Sequence, residues 1–579
     1  MDKKTKTTIA ILVGVAGLLL AVMVCALCIL LIPAPDPIPE WGEQTQVPTG
    51  PDPSTVVRSP AITGEEPYGK VAVGRRKSKE LIGDLFADGH AIACDRDSST
   101  FYLSVSDDTI GNYLGVAFSV VGSKGEEDLS IVFEDEIDKH SYFQVPNNNK
   151  TYRLIVYNDT HYQSAMLYVT TMPFVTIETE GGKGIPKDND VKCTITLRDG
   201  NWREHGSAPV TTSEALIHVR GASSSSFPKK AYKINFRESD YETNRDLSLL
   251  GLRSDDDYVL DAMYIDPTRM HNKLSTEIWN EMNPENKASD GEYVEVILNG
   301  NYVGLYDLIE PIDKKQLDLD DTNGLLIKSF SWEGTYFDKY SGKPTSNVWM
   351  GFELKYPKEN ISFKNWGLFY EILKATANAK EDPDSFIEMT DYLDHENLTD
   401  YWLWLTIFSL RDNRGKNLFW STPDITDNNA IYLITPWDCD LGFGYRYGKR
   451  DTNILDLPHH RDHYENDYID DFKLLKRYLQ MDVNDAKFTV ENRWDDLSAE
   501  GGVLSKDSVK ARIEKYRTYL EDTGAWDREM ATWPEAMNPD PDEEFEYMDE
   551  WLDGRYEWME KRIMEVVYDV PIVKEEDEE

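Results

Sequence analysis

The chain has 579 residues, with 105 acidic against 61 basic side chains and a formal net charge of −44, so it is too long for a single core and is expected to hold several domains. Acidity of this size argues against recognition of nucleic acid through its phosphates. It favours basic partners and divalent cations, although most of these carboxylates simply keep a solvated surface soluble.

Residues 1–8 carry Lys3, Lys4 and Lys6, and residues 9–33 (IAILVGVAGLLLAVMVCALCILLIP) carry no charge. At about 1.5 Å rise per residue this run can cross a hydrocarbon core of about 30 Å. The lysines before it and the acidic segment after it put the short N-terminus in the cytoplasm and the bulk of the chain outside. The expectation is a single-pass signal anchor in the cell membrane, with a cleaved secretory signal as the alternative. Cys25 and Cys28 lie inside the run, and neither follows the small residue that lipid attachment favours. Residues 34–77, rich in Pro, Thr, Gly and Glu through most of their length, read as a disordered linker.

From 78 to 172 short alternating runs such as TFYLSVSDD, YLGVAFSVVG and YRLIVYND, separated by Gly, Asn and Asp, predict an all-β, sandwich-like module that acts as a spacer. Strand signals continue in FVTIETEGGKGIPKDNDVKCTITLRDG, in EALIHVRG at 214–221 and in KAYKINFR at 230–237, the last two joined by the Ser-rich turn ASSSSFPK. Met270, Leu274, Ile278 and Met282 recur at fours behind Asp266 and Pro267 and predict a helix. Asn299 and Gly300 split YVEVILNGNYVGLYDLIEPI into a β-hairpin. Helices are expected at about 363–379, 383–390 and 395–411, the last a buried aromatic one. The remaining third is helical and acidic, with Tyr, Trp, Leu and Met at helical spacing, a packing role. Residues 566–579 form an acidic tail. Cys94, Cys193 and Cys439 are too few for a disulfide scaffold. Whether Cys94 and Cys193 pair is open, and Cys439 reads as a small buried filler.

Two stretches carry chemistry. RDNRGKNLFW at 411–420 sets Asp412 five residues before Asn417, and TPWDCDLGFG at 435–444 supplies Asp438 and Asp440 at the end of a β-branched, aromatic run. An Asp that orients a hydroxyl, with an Asn and a later Asp holding Mg2+, is how a phosphoryl-transfer site is laid out. Two carboxylates two apart on a strand point the same way and share a metal, whereas in a turn only one reaches it. The hard oxygen donors suit Mg2+ or Mn2+, and no Cys/His cluster argues for zinc.

VRGASSSSFPKKAYKINF, MHNKLSTEIWNEM, ILNGNYVGLYDLIEPIDKKQL, DNRGKNLFW, PWDCDLGFG and WLDGRYEWMEKR, in this order, resemble the CotH-like spore-coat kinase family, across roughly 174–565. The resemblance implies an α+β chain in which a divergent, two-lobed protein-kinase-like domain follows the all-β module. It implies ATP as nucleotide and Asp412 as the group that takes the acceptor's proton. Asn417 and Asp438 are then ligands of Mg2+ or Mn2+, with Asp440 a further or alternative one. The strand pair around the Ser-rich turn replaces a glycine-rich lid, with hydroxyls such as Ser224 toward phosphate and Arg220 as a nearby cation. Lys230 or Lys233 meets the phosphates, Glu277 or Glu281 holds that lysine, and Glu310 sits at the hinge between lobes. The chain lacks the G-x-G-x-x-G and D-F-G motifs of ordinary protein kinases. The expected activity is phosphorylation of Ser, Thr or Tyr on a surface or coat protein, basic and Ser-rich by charge complementarity. A catalytically silent surface scaffold is the alternative, and a glycan hydrolase is disfavoured because the acids group as a metal site rather than across a sugar cleft.

Overall fold

The computed structural model describes residues 67–569 except 126–128, 135–141, 188, 360, 427–429, 447–460 and 468. The expected membrane span at 9–33 and most of the acidic tail lie outside these residues. Among the described residues no helix is long and apolar enough to cross a membrane.

The end of the expected linker is folded. Tyr68–Val71 is a helical turn and Arg76–Lys77 pairs in parallel with His161 and Tyr162. The reason is apolar: Val71 is fully buried with Val132, Ile155 and Tyr157. Beyond it, alternation along strands such as Lys150–Tyr157 and His161–Thr170 feeds one shared core, which includes Leu85, Phe101, Phe118, Phe133, Leu154 and Leu167. The module is built from a six-stranded sheet, a three-stranded sheet and a two-stranded one.

Seven strands then close a barrel. In barrel order they are Phe174–Thr179, Val191–Arg198, Val210–Val219, Tyr232–Arg237, Asp257–Asp261, Asn301–Ile309 and Gly291–Leu298, the last returning to the first as a parallel pair. Strict alternation drives closure: in Tyr232–Arg237 the residues Tyr232, Ile234 and Phe236 turn inward while Lys233, Asn235 and Arg237 stay partly exposed. The predicted hairpin turn has φ 50° at Asn299 and 75° at Gly300, the two positive angles that a tight two-residue turn of this kind requires.

Helix His271–Met282 follows the strand Asp257–Asp261. A five-stranded sheet comes next, in the order Val348–Trp349, Phe352–Tyr356, Leu325–Ser329, Leu418–Thr422 and Leu433–Pro436. Helices Phe363–Ala377, Pro383–Thr390 and His395–Ile407 stand where the sequence puts them, and 395–411 ends early, at Ile407. Trp402 and Trp404 are buried, as the aromatic density of that helix predicts. Among the described residues the C-terminal part holds five α-helices, Lys473–Gln480, Ala486–Ser498, Lys506–Asp522, Ala525–Thr532 and Pro541–Tyr568. The chain is thus α+β, with mixed sheets, a closed barrel and a helical C-terminal third. Cys94, Cys193 and Cys439 are all free thiols.

Candidate active site

A cleft of about 380 Å3 lies between one end of the barrel and the edge of the five-stranded sheet. That volume is in the range of small-molecule sites. From the barrel come Arg220, the turn Gly221–Ser224, Lys229 and Asp261; from the sheet side come Lys328, Asn417, Trp437, Asp438 and Asp440.

Strand register explains the sheet side. Leu418 pairs with Pro436 and Ser329 with Leu418, so Lys328, Asn417 and Trp437 emerge next to one another, and the Trp437 amide donates to Asn417 O at 2.9 Å. Asn413, buried, ties the turn Arg411–Arg414 to this edge by donating to Asn417 O and Trp437 O, each at 3.0 Å. Asn417 and Asp438 take left-handed backbone angles, φ 55° and 58°, which Asn and Asp tolerate better than other side chains and which recur at functional loops. The strand ends at Pro436, so Asp438 and Asp440 sit in a turn: Asp438 is exposed and Asp440 is partly buried. Asn417 Nδ2 donates to Asp438 O at 3.2 Å. Cys439 between them is fully buried, and burial pushes its thiol well above the ordinary range.

Asp412 lies in the Arg411–Arg414 turn with its Oδ2 accepting from Lys416 Nζ at 3.0 Å. Lys416 itself lines the cleft.

The cleft carboxylates act on one another through their charges. Burial pushes the Asp440 carboxyl well above its usual range, and the charges of Asp438, Asp261, Asp412 and Asp266 push the same way. Asp261 is also raised, by burial first, with Arg220 opposing and Asp438 adding. On the cationic side, burial brings Lys328 down to about 8, and the Arg220 charge adds to this. Both cations stand over the Trp437 ring, Arg220 at 5.0 Å and Lys328 at 5.8 Å from its centroid, an attraction that is stronger in a desolvated cleft.

Several residues expected from sequence stand elsewhere. Lys230 turns back on the serine turn, donating to Ser225 O at 2.9 Å and to Phe227 O. Lys233 is on the outward face of its strand and pairs with Asp257 at 3.0 Å. Neither lines the cleft; Lys229 and Lys328 do. Glu277 and Glu281 are engaged with Arg512, and Glu310 accepts from the Arg253 amide at 2.5 Å. The carboxylate that holds Lys229 is Glu529, from helix Ala525–Thr532: its Oε1 accepts from Lys229 Nζ at 2.7 Å and Arg269 Nε at 3.1 Å, its Oε2 from the Leu305 amide at 2.8 Å. Arg220, Ser224, Asn417, Asp438 and Asp440 are brought together at the cleft.

A profile for the family described as CotH kinase protein matches residues 217–559, more than half of the chain. The chain belongs to the CotH kinase family. No curated protein matches it. The match spans every cleft residue named above, and it takes in Glu529, which no short motif singles out.

The donors at the cleft suit the divalent cation and phosphates that a kinase family uses. Asp438, Asp440 and Asn417 offer hard oxygens, and the mutual repulsion that raises Asp440 is what a divalent cation would relieve. Arg220 and Lys328 offer charge for phosphate oxygens. Among the described residues, one group of three acids closes within 4.8 Å, Asp246, Asp255 and Asp256, and the Lys315 ammonium already binds all three. Among the described residues Asp438 and Asp440 belong to no such group of three, so further ligands would come from Asn417, water or phosphate, as is usual for Mg2+.

Proposed function

We propose that this CotH-family chain is an active atypical protein kinase that moves the γ-phosphoryl group of ATP to a Ser or Thr hydroxyl, with Tyr not set apart, of a surface or coat protein. The observation that carries the reading is the single cleft that brings Arg220 from the barrel together with Lys328, Asp438 and Asp440 from the sheet side, with Asp412 bonded to its lining residue Lys416. In this reading the barrel is the counterpart of the smaller lobe of a protein kinase, and the sheet with its helices that of the larger one. Arg220, Lys328 and the Gly221–Ser224 turn bind phosphate oxygens. Mg2+ or Mn2+ held by Asp438, Asp440 and Asn417 would neutralise charge on those phosphates. Asp412 aligns the acceptor hydroxyl and takes its proton as the new O–P bond forms and the bond to the leaving diphosphate breaks. Lys416, bonded to Asp412, holds that carboxylate in place.

The uncharged run at 9–33 would anchor the chain in the membrane with the kinase part outside. The net charge of −44 favours a basic, Ser-rich acceptor. Raising salt from about 50 to about 500 mM should then weaken acceptor binding, and an unchanged affinity would sink that part of the proposal.

The central test incubates the purified full-length chain with labelled ATP and Mn2+ or Mg2+, beside Asp412→Ala and Asp438→Ala. Loss of at least about a hundredfold in label transfer is expected for each, since Asp412 takes the acceptor's proton and Asp438 would hold the cation on the phosphates. Transfer that persists in both variants refutes the site. A wild-type chain that binds no nucleotide favours a silent scaffold.

A further inference from the structure

The loop that carries Asp438 and Asp440 is gripped by its backbone from the start of helix His271–Met282. Asn272 Oδ1 accepts from the Cys439 amide at 2.9 Å. Next to it, His271 Nδ1 lies 3.2 Å from Asp440 O; the carbonyl can only accept, so Nδ1 carries the proton. Two consecutive helix residues thus hold backbone groups of two consecutive loop residues, Asn272 as acceptor and His271 as donor. The Asn272 amide also reaches across the cleft, donating to Asp261 Oδ2 at 3.3 Å.

The grip is rigid. His271 is fully buried and its ring lies between Phe443, stacked at 5.3 Å, and Tyr445, at 4.9 Å. Phe443 in turn packs on Phe408 at 4.9 Å, and Tyr445 donates to the buried Glu544 at 2.6 Å. Asp266 fixes the start of the helix by accepting from the Thr268 amide at 2.8 Å and the His271 amide at 2.6 Å. A loop in which Asp438 holds a left-handed angle needs such outside restraint, because the strained conformer is otherwise only one of several. At the other end of the helix, Arg493 donates to Met282 O at 2.5 Å and Arg512 pairs with Glu277 and Glu281. The helix therefore joins the C-terminal helices to the loop.

We propose that His271 and Asn272 are positioning residues that set the Asp438–Asp440 loop through its backbone, so that the seating of helix His271–Met282 governs how well the loop takes a divalent cation. The part concerning the cation rests on the proposed function; the grip on the loop does not. Supporting groups behind metal ligands change affinity by about 10- to 100-fold when lost, which sets the effect to look for.

Two readouts on the full-length chain separate the claims. The first is amide exchange of the peptide spanning 437–443 without metal or nucleotide, in wild type, Asn272→Leu, Asn272→Asp and His271→Phe. Faster exchange by about tenfold or more is expected for Asn272→Leu and His271→Phe, with protection kept in Asn272→Asp, which retains an acceptor for the Cys439 amide. The second is Mn2+ affinity by electron paramagnetic resonance, expected to fall about tenfold in Asn272→Leu and His271→Phe. His271→Phe keeps an aromatic ring between Phe443 and Tyr445, so it tests the grip even if Asn272→Leu does not fold. Unchanged exchange and unchanged Mn2+ affinity in the folded variants overturn the proposal. Faster exchange in a chain whose wild type binds no Mn2+ upholds the grip and refutes the metal assignment.

Discussion

Replacing Lys328 by Met should make the protein more stable while it weakens nucleotide binding. Lys328 stands in the strand Leu325–Ser329 amid the buried residues Leu326, Ile327 and Ser329. Its nearest favourable partners are the faces of Phe419 and Trp437, at 5.4 and 5.8 Å. Burial, with the Arg220 charge adding, brings its ammonium down to about 8. Against an ordinary lysine near 10.4, the drop to about 8 is roughly 3 kcal/mol charged against the folded state. Loss of the ring contacts and partial access to solvent reduce the net gain on substitution to about 2 kcal/mol. With an unfolding entropy near 2 cal/mol/K per residue over some 500 folded residues, this is about 2 °C in melting temperature. The sign with pH is fixed. Below about 8 the lysine is charged in both folded and unfolded chains and the cost is fully present. Between about 8 and 10.4 the unfolded chain binds more protons, so wild-type stability rises with pH and the advantage of the variant shrinks to nothing. Scanning calorimetry at pH 7 and pH 9.5 measures this, and titration calorimetry with ATP analogues measures the affinity. A variant that melts lower than wild type at pH 7, or whose advantage is the same at both pH values, refutes the reasoning.

Two further substitutions probe the barrel side. Gly221 has φ +100°, and a Cβ there would lie 2.1 Å from Ser224 Oγ, so Gly221→Ala should reshape the turn and weaken nucleotide affinity about tenfold with little change in melting temperature; unchanged affinity by calorimetry counts against a phosphate-binding turn. Glu529→Gln leaves Lys229 and Arg269 buried with no carboxylate between them and should cost about 3 to 5 kcal/mol. Lys229 is already brought down to about 8 by burial despite Glu529, so the loss should be largest below pH 8 and ease as the amine deprotonates; an equal loss at pH 6.5 and pH 9 contradicts this account.

What was legible in the sequence follows the range of the signals. Local ones read directly: Asn299 and Gly300 mark a hairpin, and the helix through Met270, Leu274, Ile278 and Met282 shows its apolar stripe. The proximity of Asn417, Asp438 and Asp440 also follows from short range, because they sit in two short stretches that one strand pairing, Leu418 with Pro436, brings together. The lysines were not, for a reason that lies in the barrel. In FPKKAYK the alternation predicts which side chains leave the barrel wall, and Lys233 duly faces outward. An outward direction at mid-strand leads to Asp257, whereas the cleft opens at the barrel's end, where Lys229 turns in before the strand begins. Periodicity gives the face of a strand and is silent about which end meets another domain.

The same limit hid Glu529 and Lys328, and both left a trace. Ala525, Trp526 and Glu529 are the buried residues of helix Ala525–Thr532, so a carboxylate occupies a position on the apolar stripe, and Lys328 interrupts an apolar strand in the same way. A charged side chain at a core position is costly unless a partner or a ligand compensates it. For Glu529 the partners are Lys229 and Arg269, contributed from roughly 260 to 300 positions earlier in the chain. For Lys328 no carboxylate lies within ion-pair distance among the described residues, and only aromatic faces and the more distant charges of Asp438 and the cross-strand Glu353 attract it. Burial without a partner is tolerated where a ligand supplies the missing charge, and the ligand that suits Lys328 beside Arg220 is an anion, which is why the cleft reads as a phosphate site from its cations as well as from its acids.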